Sequence, residues 1–108
     1  MLSKLDKVKT ALLSVSGLSV SHYEALKKTA PYCVWAEDGA GEQQNADNKM
    51  VGQAVSGVID YYTSAENDGN VDAIQNALNN EKISFGLYLI QYEDDTKLIH
   101  WQWEFEVT

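Results

Sequence analysis

The segment Leu98 to Val107, LIHWQWEFEV, restricts the fold more than any other part of the chain. Ile99, Trp101, Trp103, Phe105 and Val107 alternate with His100, Gln102, Glu104 and Glu106. Successive side chains of an extended chain point to opposite faces. The alternation therefore predicts a strand with one aromatic and aliphatic face and one polar face. Two tryptophans and a phenylalanine on one face need a large apolar surface to pack on, so this strand is expected to carry the core.

A second long strand precedes it. In Ile83 to Glu93 (ISFGLYLIQYE), Phe85, Leu87 and Leu89 share one side, and Tyr88, Ile90 and Tyr92 share the other. Asp94 to Lys97 is a short polar turn, so the two strands read as a hairpin. Apolar bulk on both faces of the first strand predicts helices over one and a neighbouring chain over the other. Gln53 to Thr63 is a third strand, with Val55, Ile59, Tyr61 and Thr63 in one parity. Gly57 among them marks a bulge or a close approach of another backbone. Tyr32 to Glu37 and the shorter Leu18 to Tyr23 are further candidates. Glu24 to Thr29 reads as a loop or a single helical turn.

Two segments have helical spacing. In Leu2 to Val15, Leu5, Val8, Leu12 and Val15 fall on one face, Ser3 and Asp6 form a weak capping box, and Gly17 suits a position with positive φ. Val71 to Asn80 carries a Val71, Ile74, Leu78 stripe with Asn70 or Asp68 as its cap. These elements predict a single α+β domain over residues 1–108: an antiparallel sheet of about four strands with two helices packed on one face. Its expected core contains Trp35, Ile59, Leu78, Trp101, Trp103 and Phe105.

Between two strands the composition changes. Asp38 to Gly52 (DGAGEQQNADNKMVG) is rich in glycine and polar residues and reads as a long mobile loop. It is the expected partner- or subunit-contacting element, through Asp38, Gly39, Glu42, Asn45, Asp47, Asn48 and Lys49.

Charge narrows the function. The formal net charge is −8, from 8 basic and 16 acidic side chains, and the basic ones lie mostly in the first 28 positions. Groove binding to duplex nucleic acid needs a basic face and is disfavoured. No apolar run is long enough to span a bilayer, and the charged N-terminus does not read as a signal peptide, which predicts a soluble protein made in the cytoplasm with no membrane partner. Cys33 is the lone cysteine and sits in an apolar run, as an inert buried thiol would. No metal-ligand spacing, cofactor motif or catalytic signature is present, so no metal, cofactor or catalytic residue is expected. A patch of His100 and Glu104 has acid–base potential, but a polar face turned to a partner or to water explains it better. On that view Trp103→Ala is costly and His100→Ala changes stability little.

The chain resembles the tail-terminator and minor-capsid (tail-completion) proteins of long-tailed bacteriophages. Three segments carry the resemblance: APYCVWAEDG with the polar gap after it, AVSGVIDYYTSAENDGNVDAIQNALN, and YLIQYEDDTKLIHWQWEFEV. Their order and spacing are those of the family, although its members are basic or neutral where this chain is acidic. The resemblance implies a structural, non-enzymatic α+β protein of the virion neck. Copies would form a ring, often a hexamer, that ends the tail tube and joins it to the head connector. DNA would pass through the hole without specific binding, and His100, Gln102, Glu104 and Glu106 would face a partner or the lumen. The alternative is a small ligand- or protein-binding module, or an enzyme, using a cleft between helices and sheet lined by His22, His100, Tyr61, Tyr62, Tyr88 and Tyr92.

Overall fold

The computed structural model describes residues 3–26, 28–40, 44–46, 49–52 and 54–108. The chain runs through α1 (Asp6–Leu13), β1 (Ser19–His22), β2 (Tyr32–Ala40), β3 (Gln44–Ala46), β4 (Lys49–Gly52), β5 (Val55–Thr63), α2 (Gly69–Asn80), β6 (Ser84–Glu93) and β7 (Leu98–Val107). The fold is α+β with both helices on one face of the main sheet. That sheet has five strands rather than about four, in the order β1-β2-β5-β7-β6. It is mixed rather than antiparallel, because β1 pairs parallel with β2. Ser19 pairs with Tyr32, so β1 and β2 set off in the same direction from the same end of the sheet. No helix among the described residues is long and apolar enough to cross a membrane.

Of the expected loop over 38–52, the described residues 38–40, 44–46 and 49–52 are strand. β2 runs past Glu37 through an irregularity between Glu37 and Gly39, which keeps Asp38 and Gly39 in the sheet. Asn45 and Lys49 stand in β3 and β4, a two-stranded hairpin paired with itself. Backbone pairing needs no apolar side chains, so this composition hides it. Glu42, Asp47 and Asn48 lie outside the described residues.

The helices follow their apolar stripes. α1 buries Val8, Ala11 and Leu12, with Leu5 just before it and Val15 just after. It is entered through a 3₁₀ turn at Ser3–Leu5, and its N-cap is Leu5 with no side-chain bond. The expected Ser3 and Asp6 box is therefore absent. Gly17 does take a positive φ of 75°, but in the turn that follows α1 rather than next to its cap at Ser14. α2 buries Val71, Ile74, Ala77 and Leu78. Asp68 caps it, accepting from the Asn70 amide at 2.8 Å. Its other end closes with Lys82 at φ 58°, where the Lys82 amide reaches Asn79 and the Ile83 amide reaches Leu78. Ile83 and Leu78 are both buried, the apolar contact that accompanies such a helix end.

Asp68 also accepts from the Tyr61 hydroxyl at 2.5 Å, and Asn70 Nδ2 donates to that hydroxyl at 2.9 Å. Burial pushes the Tyr61 phenol up to about 12, with Asp68 adding to the effect. For Asp68, burial acts upward, but hydrogen bonds from Thr63, Tyr61 and the Asn70 amide outweigh it and hold the carboxyl below its usual value of 3.8. A carboxyl depressed on folding contributes stability above its unfolded pKa and loses it as the pH falls through the folded one. Asp68→Ala should cost about 1–2 kcal/mol at neutral pH, from the lost cap and the stranded Tyr61 hydroxyl. Urea melts across pH should show this gap narrowing in acid.

The core lies between the helices and the sheet. Trp35, Ile59, Tyr61, Trp103 and Phe105 meet Leu12, Ile74 and Leu78 there. Buried and half-buried residues alternate along all of β5. In β7 only Trp103, Phe105 and Val107 of the expected face are buried. Trp101 is half-buried at the margin of the core, a correction to its expected place. It lies beside Glu66–Asp72, where the chain turns into α2, so cover over it is partial.

Candidate functional site

The face of the sheet opposite the helices carries a row of rings. Tyr32, Tyr62 and His100 occupy matched positions on β2, β5 and β7. Strands lie about 4.7–4.9 Å apart, which is also a comfortable stacking distance for planar rings. The Tyr32 and Tyr62 rings stack at 4.7 Å, and those of Tyr62 and His100 at 4.4 Å. Asp60, two residues before Tyr62 and on the same face, receives His100 Nε2–H at 2.6 Å and Gln102 Nε2–H at 2.8 Å. Glu93 lies 3.9 Å from His100 Nδ1, too far for a hydrogen bond. Burial, then the nearby Asp60 charge, pushes the Tyr62 phenol up to about 12.

An imidazole oriented by a carboxylate is half of a general-base arrangement. The other half is a nucleophile on the free ring nitrogen, and among the described residues no hydroxyl or thiol bonds to His100. Its side chain is only 12% exposed. Nor does any group of three or more His, Cys, Asp and Glu among the described residues suit a metal ion. Cys33 is fully buried on the helix side, and burial, helped by Asp60, pushes its thiol up to about 12, out of reach of nucleophilic use. The His100 and Asp60 pair ties β7 to β5. His100→Ala removes a charge-assisted hydrogen bond and a ring stack, so it should cost about 1–2 kcal/mol in denaturant melts rather than little.

Further along the same face, Gln102, Glu104 and Glu106 border an open groove of about 450 Å³ with Asp38, Ser56 and Tyr88. The two expected contact sets, the polar face of β7 and the start of the 38–52 segment, thus converge at Asp38. Gly39 follows it in β2, whereas Asn45 and Lys49 stand in the separate hairpin. Asp60 escaped sequence reasoning because it is 40 residues from His100. Its signal was parity: it alternates with buried Ile59 and Tyr61 in a strand that pairs with β7.

The residues expected to line a cleft between helices and sheet are not brought together. His22 lies on the helix side, stacked on Tyr23 at 3.8 Å and on Trp35 at 3.9 Å, and its Nε2 sits 2.6 Å from Glu37 Oε1. The Tyr23 hydroxyl donates to the other Glu37 oxygen at 2.5 Å. Burial pushes the Glu37 carboxyl up, but its Tyr23 and His22 bonds prevail and hold it below its usual value. Tyr61 is core, while Tyr62 and His100 are on the opposite face.

The edge strand β6 is the other exceptional surface. Its outer side has no partner in the sheet. Leu87, Tyr88, Ile90 and Tyr92 are 45–65% exposed, and only Phe85 of this strand packs against the core, so the helices cover less of it than its sequence led us to expect. No protein-family model matches the chain, and no curated protein sequence matches it.

Proposed function

We propose that this chain is a structural subunit of the head–tail junction of a long-tailed phage or prophage, working by assembly into a ring. The observation that carries the reading is β6, a ten-residue edge strand with four large apolar side chains in water. Monomeric proteins blunt such edges, whereas assembling ones use them. The sequence resemblance supplies the setting, in which the ring ends the tail tube and meets the head connector. Asp38, Glu104 and Glu106 fit a lumen that repels passing DNA, and the self-paired β3–β4 hairpin fits a contact with the tube or connector. This reading requires no catalysis.

Deleting the gene from a phage or prophage that carries it tests the proposal. Heads and tails should accumulate unjoined, with tails of uneven length by electron microscopy. Intact infectious particles would overturn it.

A further inference from the structure

Among the described residues, the large exposed apolar side chains form two groups at opposite edges of the sheet. Leu87, Tyr88, Ile90 and Tyr92 belong to β6, whereas Leu13, Tyr23 and Leu26 stand beside β1. On the β1 side a pit of about 130 Å³ opens between α1 and the strand, walled by Lys9, Leu13, Val20, Ser21, His22 and Trp35. His22 pairs with Trp35, Trp35 with Ile59, Ile59 with Trp103, and Trp103 with Leu87. The pit and Leu87 are thus the two ends of one row of side chains, at one height and on the helix side of the sheet.

We propose that copies of this chain associate head to tail, with the β6 edge of one entering beside β1 of the next and Leu87 filling the pit. The inference rests on the ring reading and gives it an interface. Charge supports a second copy as the occupant. The first 28 residues hold five lysines and two acids, and the remainder holds three lysines and fourteen acids. Exposed Lys9 walls the pit, and exposed Lys28 precedes β2 at the end of the sheet where β1 also begins. Exposed Asp94 and Asp95 end β6, at the end of the sheet where β2 begins just after Lys28. A copy carried sideways in the plane of the sheet brings basic against acidic and apolar against apolar. It also brings β1 antiparallel to β6, the slightly more stable of the two directions in which edge strands pair. Because the two patches differ, the contact is heterologous and closes into a ring when the rotation allows.

Two surface variants test this, sized by light scattering beside the wild type. Leu87→Lys with Ile90→Lys blocks one edge, and Leu13→Glu with Leu26→Glu blocks the other; circular dichroism confirms that both fold. Wild type should assemble, less readily in high salt. Each variant alone should stay monomeric, and their equal mixture should stop at a one-to-one dimer, since each keeps one working edge. A dimer formed by the Leu13→Glu, Leu26→Glu variant alone would mean that β6 pairs with itself and would overturn the proposal. Variants that assemble like wild type would place the interface elsewhere and overturn the proposal while leaving the ring reading standing. A wild type that stays monomeric at every concentration overturns the proposal, and missing rings in particles as well would remove the ring reading.

Discussion

Trp103→Ala should lower stability by about 3–5 kcal/mol, a large share of the roughly 5–15 kcal/mol that holds an ordinary domain folded. Trp103 is fully buried, is paired with Ile59 on one side and Leu87 on the other, and packs with Trp101 at 6.3 Å. Its indole N–H donates to Gln75 Oε1 at 3.0 Å, which ties the sheet to α2. The alanine leaves a cavity under the helix and strands the Gln75 oxygen. Chemical denaturation should place Trp103→Ala well below His100→Ala, and Trp101→Ala between wild type and Trp103→Ala because Trp101 is only half-buried. The reverse order of the two tryptophans would mean that the helices cover the other end of β7.

Gly57→Ala should cost about 2–3 kcal/mol although it adds one methyl group. A Cβ at Gly57 would run into the Ala36 carbonyl oxygen and come within 2.5 Å of the Phe105 ring. The obstruction on one side is backbone and on the other a core ring, so neither yields cheaply. The lost entropy of the unfolded chain returns only about 0.4–1 kcal/mol. Phe105→Leu in the same chain should recover part of the loss. The cycle of the two substitutions should therefore be non-additive, and simple additivity would show that the ring does not press on residue 57.

The parts of the fold that local chemistry sets were legible. Alternation in β5 and β7 marks their faces, the spacing of Val71, Ile74 and Leu78 marks α2, and Gly57 in a strand announced a close approach. What was hidden depends on register between distant segments. Asp60 becomes the partner of His100 only once β5 lies beside β7. The cover over Trp101 depends on where α2 begins, which no pattern within β7 encodes. A central strand and an edge strand with apolar residues on both faces read alike, so the exposure of β6 needed three dimensions. The pit beside β1 draws on α1, β1 and β2 together, and no one segment carries its signature.

The function proposed here reduces to a claim about assembly, and direct imaging of the purified wild-type protein, concentrated at low salt, tests it most directly. The account predicts closed rings of identical copies joined edge to edge in one sense around the circle. Particles that remain monomeric, or that stop at a two-fold dimer, would contradict the edge-to-edge contact on which the account rests.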